Sequence, residues 1–497
     1  HCHSPWLMHG MDAAVTRTLA AIAQAEPIRI LGDYDADGTL ATVILRQALT
    51  SLGAKVSFHI PHRLDDGYGL QLATIERAAA DGVGLAITVD NGIREHAPLA
   101  RARELGLEVI VTDHHLPDAE LPAAVAILNP HQPACRYPDK NLCGSGVAFK
   151  FAQALLDRAG RLASSNAADA KPVEGNWPPA LRSYLKLVAL ATVADAVPLL
   201  GENRVLARFG LEGLATPLNP GLRALMGLAL PKLAENPGQP VTSSDVGFRI
   251  APRLNAAGRM GAASQVVELF TSPPARALEI AQALEQLNLA RQQQCALIEA
   301  ELQARAAADP AWLAPAVLVI AGAGWHRGVL GIVASRLLSR WGKPVVVLSL
   351  EPGPDGTLLA QGSGRAPAGV HLLDMLERCR HLLVRFGGHA QAVGLGLPAH
   401  RLPQLRAALE SAAAAAIAPA AADPGFEVRL PELTAAFARE LARLEPCGEG
   451  NREPIFCVRG VRLAQPPAQL KERHLKIVIE QDGARHTALF WNLWRDG

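Results

Sequence analysis

Aromatic side chains make up only 4% of the 497 residues, so a surface that works by ring stacking must rely on few of them. No run approaches the roughly 18 consecutive apolar residues that a membrane-spanning helix needs. The opening residues do not read as a secretory signal, and a cytoplasmic location is the expectation. The seven cysteines are odd in number and include no C-x-x-C pair. Free thiols in a reducing compartment are therefore expected rather than a disulfide framework. His1-Cys2-His3 reads as a frayed terminus rather than a metal site. A formal net charge of +1 provides no global field for attracting anions. Arginine nevertheless outnumbers lysine. Guanidinium groups fork onto phosphate where ammonium offers a point charge, although a GC-rich genome produces the same excess. The 49% hydrophobic and 19% charged content is that of a globular protein, and the length allows for two to four domains. The chain opens on His1 and closes on Trp494-Arg495-Asp496-Gly497 just after a strand-like run, the pattern expected of a fragment with an incomplete terminal domain.

Four short polar segments stand out along the first 200 residues. They are Gly32-Asp33-Tyr34-Asp35-Ala36-Asp37-Gly38, Thr88-Val89-Asp90-Asn91-Gly92, Thr112-Asp113-His114-His115 and Ala191-Thr192-Val193-Ala194-Asp195. Each of the first three follows a β-branched apolar run. The runs Pro27 to Leu31, Lys55 to Ile60, Leu85 to Val89 and Leu107 to Thr112 read as strands. Stretches with helical spacing lie between them, such as Thr42 to Leu52 and Leu72 to Ala80. This alternation predicts an α/β fold with a parallel sheet, in which ligands bind beyond the carboxyl ends of the strands. Asp33, Asp90 and Asp113 fall there.

Taken singly, each segment has a structural reading. Asp-x-Asp caps helices, Asp-Asn-Gly makes turns, and paired histidines mean little. Together, three of them at strand ends predict one metal site assembled from distant sequence. A carboxylate-rich donor set with one or two histidines suits Mg²⁺ or Mn²⁺ better than zinc.

Further along, Ser164 to Pro179 reads as a surface loop, and the pattern from about 205 to 308 is mainly helical. Ala277 to Ala307 predicts a long amphipathic helix able to join two domains, with Asp309-Pro310 at its end. Ala316 to Ile320 and Pro344 to Leu348 are buried-strand candidates. Ala412 to Pro424 is a low-complexity Ala/Pro linker. After it, short alternating runs at 455–458, 474–479 and 487–491 suggest a small β-barrel.

The four segments resemble the phosphoesterase motifs of the DHH family, named for its Asp-His-His triplet. Within that family the chain is most similar to the RecJ group of bacterial single-strand-specific exonucleases. The segments that carry this are Pro61 to Gly69, Phe248 to Met260, Gly362-Ser363-Gly364-Arg365, Phe386-Gly387-Gly388-His389 and Gly448 to Pro454, of which Arg253 to Met260 is the most specific. The resemblance implies a DHH catalytic domain at 1–204 and a helical connector carrying the Arg/Asn motif at 205–310. It further implies a DHH-associated α/β domain across a cleft at 311–412 and a truncated OB-like domain at 425–497.

The activity implied is hydrolysis of single-stranded DNA from 5′ to 3′ into mononucleotides, in DNA repair and recombination, with two divalent cations, Mn²⁺ or Mg²⁺. Two such ions stand about 3.5–4 Å apart in sites of this kind. Asp90, alone on its strand end, is assigned as the bridge. Asp33 and Asp35, two residues apart, are each expected to address a different ion, with His114 and Asp195 completing the second. Asp37 is a further ligand or an outer acceptor. Asp113 is expected to orient His114, and His115 to face the scissile phosphate. For substrate, Gly362 to Arg365 reads as a flexible anion loop in which Ser363 and Arg365, with Arg63, hold a terminal 5′-phosphate. Arg253, Asn255 and Arg259 are expected to clamp the scissile phosphate, in a segment too rich in Gly and Ala for a simple core helix. His389 is expected near the site, and Tyr68 and Trp325 are the stacking candidates. Single-strand-binding protein and a helicase are the implied protein partners of a monomer that does not touch membranes.

One departure stands out. RecJ sequences carry Thr or Ser two residues after the motif glycine, whereas Gly38-Thr39-Leu40 has Leu there, which puts the support of Asp37 in question. Two alternatives compete. A DHH phosphodiesterase for short oligonucleotides or cyclic dinucleotides is expected to lack the long helix and the C-terminal barrel. A non-catalytic replication scaffold is expected to lose metal ligands.

Overall fold

The computed structural model describes residues 2–63, 69–160, 178–236, 238–353, 356–413, 425–471, 474–491 and 493. Tyr68, most of the 164–179 loop and the 414–424 part of the linker lie outside them. The chain divides into two compact units. One comprises residues 1–197 and 201–420, the other 198–200 and 421–497.

The first unit opens with a parallel sheet of β1 (Ile28–Leu31), β2 (Val56–His59), β3 (Leu85–Val89), β4 (Glu108–Thr112) and β5 (Ala126–Leu128), ordered β2-β1-β3-β4-β5. The first four match the β-branched runs. β5 is too short to show periodicity. Every residue of β3 is buried, because helices cover both faces of a central parallel strand. The strand order reverses between β1 and β3, and the helices that follow them pack on opposite faces of the sheet, which opens a crevice there. Asp33 and Asp90 emerge at that point.

The helix Ala36–Ser51 starts immediately after β1. Asp35 is its N-cap, accepting the Gly38 N–H at 3.0 Å. The expected start at Thr42 is thus a turn and a half late, because the acidic motif itself forms the first turn.

No core boundary falls at residue 204. The helices Pro179–Ala194 and Gly201–Leu214 pack on each other, and one apolar core runs from Met8 to Leu284. The long helix Pro274–Ala308 then links two cores. Ile280 and Leu284 lie in the first, and Ile298 and Leu302 lie in a second with Trp325 and Val333. Asp309 ends it by accepting the Ala311 N–H.

A mixed sheet follows: β6 (Leu318–Ala323), β7 (Val345–Pro352), β8 (Leu358–Arg365), β9 (Arg385–His389) and β10 (Ala392–Pro398), ordered β6-β7-β8-β10-β9. The expected flexible loop Gly362 to Arg365 is therefore central strand, paired on both sides. Its glycines serve packing. A methyl on Gly362 would fall 1.9 Å from the Val347 carbonyl oxygen, and one on Gly364 2.8 Å from Leu372.

The second unit holds β11 (Phe426–Glu427) paired with β12 (Phe456–Cys457). Its larger sheet contains β13 (Arg462–Leu463), β14 (Ala468–Leu470), β15 (His474–Gln481) and β16 (Ala484–Phe490). The hairpin between β15 and β16 turns at Asp482-Gly483, both at positive φ, the conformation that a two-residue hairpin requires.

Candidate metal centre and its cleft

The turn after β3 is the most constrained part of the site. Asp90 has φ +63°, a conformation that a non-glycine residue adopts only when its surroundings impose it. Those surroundings are on hand. The Asp90 N–H donates to Thr112 O at 2.9 Å, the Thr88 hydroxyl to Asn91 O at 2.7 Å, and Asn91 Nδ2 to Val89 O at 3.1 Å. The turn aims a buried carboxylate into the crevice.

Three groups of ligand atoms lie within 4.8 Å of one another: Asp33, Asp35 and Asp90; Asp37, His114 and Asp195; and Asp90, His114 and His115. Asp90 belongs to two of them. Asp33 and Asp35 fall in one group, and Asp37 joins His114 and Asp195 in another. His114 Nε2 lies 3.1 Å from Asp90 Oδ1, 3.7 Å from Asp195 Oδ2 and 3.8 Å from Asp37 Oδ2.

Asp37 sits at the N-terminus of the helix Gly144–Arg158. Its carboxylate accepts the N–H groups of Gly144 at 2.6 Å and Ser145 at 2.7 Å, and the Ser145 hydroxyl donates to its carbonyl. Leu40 at the expected hydroxyl position is therefore harmless. Its side chain is buried in the core, while the hydroxyl near Asp37 comes from Ser145. Thr39 donates instead to Asp35 O at 2.6 Å. Gly144 and Ser145 were not expected from sequence. A small-residue helix start was visible at Cys143-Gly144-Ser145-Gly146, but nothing in it pointed back to Asp37.

Asp113 orients His115 rather than the ring of His114. Its Oδ1 accepts the His115 N–H at 3.1 Å and faces His115 Nδ1 at 2.7 Å, and its Oδ2 accepts the Ile93 N–H at 3.0 Å. Asp113 reaches His114 through the backbone N–H of His114, at 2.7 Å.

The electrostatics suit cations. Burial, and then the neighbouring carboxylates, hold Asp33, Asp90 and Asp195 well above the ordinary carboxylate range, and raise Asp35 too. Burial lowers His114 despite the surrounding acids, favouring the neutral imidazole that can act as a ligand. Burial alone would raise Asp113 and lower His115, but the bond between them reverses both shifts. Asp33 Oδ1 is buried without a hydrogen-bond partner among the described residues, and Asp90 Oδ1 faces His114 Nε2 at 3.1 Å without an aligned hydrogen bond. Orphaned oxygens amid crowded carboxylates fit hard divalent cations.

Asp33, Asp35, Asp113 and His115 line one wall of a cleft of about 950 Å³, with Asp90 buried directly behind Asp33 and Asp35. Arg63 lies on the same side, its guanidinium stacked 4.7 Å from the centre of the Tyr34 ring. The opposite wall comes from the mixed sheet and carries Arg327, Gln361, Ser363, Arg365, Arg385 and His389. Gln361 Oε1 accepts from Arg327 at 2.8 Å and also from Arg385, which holds both guanidinium groups in the wall. Gln361 and Arg385 were not expected from sequence, although each stands one residue before a motif quoted above.

Two expectations for the helical segment change. Residues Ala251–Arg259 do form a helix, and Gly258 lets it pack against the Tyr34 carbonyl oxygen, where a methyl would stand only 2.2 Å away. Arg253 does not face the cleft; it forms an ion pair with Glu285 on the long helix. Asn255 Oδ1 accepts the Ala36 N–H at 2.8 Å and so supports the acidic turn. Trp325 is buried, donates to Glu301 at 3.0 Å and packs in the core, so it offers no stacking face.

Three family models match the chain: the DHH family N-terminal domain over residues 27–192, the DHHA1 domain over 314–415 and the RecJ OB domain over 426–496. A protein of Dickeya dadantii (strain 3937), the single-stranded-DNA-specific exonuclease RecJ, is 39% identical over 96% of this chain and 82% of its own length. The chain belongs to the RecJ group of the DHH family. The RecJ of Bacillus subtilis (strain 168) is 37% identical over 99% of this chain, which spans only 59% of that protein. The crystal structure of Thermus thermophilus RecJ in complex with Mn²⁺ superposes with a TM-score of 0.79 at 32% identity. That match covers 97% of this chain and 66% of the other. As a RecJ-group member the chain has the parallel-sheet DHH domain, the DHHA1 domain and the OB domain, and no helix among the described residues is long and apolar enough to cross a membrane.

Proposed function

We propose that this chain hydrolyses single-stranded DNA from the 5′ end into mononucleotides, with Mn²⁺ or Mg²⁺ held by Asp33, Asp35, Asp37, Asp90, His114 and Asp195. One observation carries this reading: a single cleft has carboxylates on one wall, Asp33 with an orphaned oxygen among them, and guanidinium groups on the other. A phosphodiester placed between them meets cation ligands on one side and anion donors on the other. Bound there, divalent cations would activate water and offset the charge developing on phosphorus.

The protein's own groups do the positioning. Asp90 belongs to two of the ligand groups, one with Asp33 and Asp35 and the other with His114 and His115. His115, fixed by Asp113, borders the cleft beside them and is placed to meet a non-bridging phosphate oxygen. Arg63, Ser363 and Arg365 line the same cleft and form the pocket for a terminal 5′-phosphate, with His389 at the edge of the opposite wall and Arg259 behind Arg365. A terminal monoester carries more charge than an internal diester, so forked guanidinium groups select the end. Such trimming of 5′ ends serves DNA repair and recombination. It needs unwound strands, which makes a helicase and a single-strand-binding protein the fitting partners.

The test is degradation of one oligodeoxynucleotide labelled at either end, as a single strand and as a duplex, with Mn²⁺ and with excess chelator. The 5′ label should leave first, from the single strand and only with metal. Cleavage in chelator, or loss of only the 3′ label, would refute the reading.

A further inference from the structure

A second cavity of about 390 Å³ adjoins the cleft, and Arg365 is a wall of both. Arg259, Gly331, Ile332, Ser335, Arg336 and Ser339 complete it, and no carboxylate among the described residues lines it. Arg365 passes between the two cavities over bare backbone. A methyl on Gly331 would stand 3.0 Å from Arg365 Nη2 and 3.5 Å from the Ser363 hydroxyl.

The charge in this annex is poorly compensated. Arg259 donates to Gly328 O at 3.2 Å and Arg365 to Gly364 O at 2.8 Å, and neither forms an ion pair among the described residues. Burial, and then the neighbouring Arg63 and Arg291, bring Arg259 down to about 10. Burial, and then Arg63, lower Arg365 as well. Crowded guanidinium groups of this kind are stabilised by an anion. Arg336 is exposed and pairs with Glu299 at 2.7 Å. The hydroxyls of Ser335 and Ser339 donate to helix carbonyls at 3.0 and 3.1 Å, and rotation about one bond would turn them to a ligand.

Position identifies the anion. A strand whose first phosphate lies at Arg365 runs from there toward Asp33 and Asp35, which line only the larger cavity. Whatever enters the annex must therefore lie on the 5′ side of that phosphate. We propose that the annex takes the additional phosphates of a 5′-di- or triphosphorylated strand, so that such strands enter the site as readily as monophosphorylated ones. This rests on the reading of Arg63, Ser363 and Arg365 as the end pocket.

The test uses the full chain in chelator and fluorescence anisotropy, with one 3′-labelled oligodeoxynucleotide carrying a 5′-hydroxyl, a 5′-monophosphate or a 5′-triphosphate. Wild type should bind the triphosphate at least as tightly as the monophosphate. Arg336→Ala removes a charge-assisted donor and should weaken the triphosphate about tenfold, leaving the monophosphate within about twofold. Ser339→Glu, at an exposed position, should reproduce that split by repulsion. The annex is overturned if wild type binds the triphosphate about tenfold more weakly than the monophosphate. It is equally overturned if both variants leave triphosphate binding unchanged, or weaken the two phosphorylated strands alike. Arg365→Ala tests the underlying reading separately. If its preference for monophosphate over hydroxyl survives, the end pocket itself is wrong. If that preference is lost while wild type still rejects the triphosphate, only the annex falls.

Discussion

Gly144 and Asp90 are in van der Waals contact across the site: a methyl on Gly144 would fall 2.7 Å from Asp90 Cβ and 2.8 Å from its Oδ1. The N–H of the same glycine donates to Asp37 Oδ2 at 2.6 Å. One helix-starting residue thus sets the spacing between two acids that lie far apart in sequence.

Gly144→Ala should therefore act on the site more than on the fold. Overpacking of this size costs about 1–3 kcal/mol, which a chain with so extensive a core tolerates. Displacement of Asp90 should weaken Mn²⁺ binding and lower kcat by about a hundredfold or more, because misplacement by an ångström has effects of that order. A Mn²⁺ titration of the nuclease rate beside a urea melt measures both. A kcat within twofold of wild type would show that the contact is slack.

Asn255 and Arg253 are neighbours in one motif with different roles, and mutation should separate them. Asn255→Ala leaves the Ala36 N–H without its acceptor, at a cost of about 1–3 kcal/mol, and loosens the turn that carries Asp35 and Asp37. Its kcat should fall with its stability. Arg253→Met breaks the partly buried pair with Glu285 and a bond to the Arg249 carbonyl and should cost about 1 kcal/mol, with kcat and KM near wild type. Steady-state kinetics and denaturant melts on both variants decide. A large loss of kcat in Arg253→Met would return that residue to the substrate.

The strand ends were legible because β-branched runs stop abruptly at Asp33, Asp90 and Asp113. Each residue's local sequence already showed both its strand and its polarity. The supports were not legible. Asn255 reaches Ala36, and Gly144 and Ser145 reach Asp37, across separations that a single sequence does not encode. Gly362 to Arg365 was misread because glycine signals a loop by default, whereas here it is required by the close approach of β7. Trp325 looked available for stacking because nothing in its local sequence shows that Gly322 and Glu301 enclose it. The departure at Leu40 raised a real question about Asp37. Its answer lay in Ser145, on another helix.

Asp90→Ala should lower cleavage by at least about a thousandfold while the fold persists, because a shared carboxylate is lost from both groups. Its affinity for single strands in chelator should change little, since the guanidinium groups remain. Thermal unfolding without metal should occur at or above the wild-type temperature, because a buried, crowded carboxylate is gone. Retention of more than a few per cent of the wild-type rate at saturating Mn²⁺ would remove Asp90 from the bridge.

Anomalous scattering from crystals soaked in Mn²⁺ tests most directly whether these acids and His114 form one two-cation site around Asp90. Two manganese peaks are expected, both against the Asp90 carboxylate, one toward Asp33 and Asp35 and the other toward His114 and Asp195. A single peak, or peaks that leave Asp90 untouched, would contradict this arrangement.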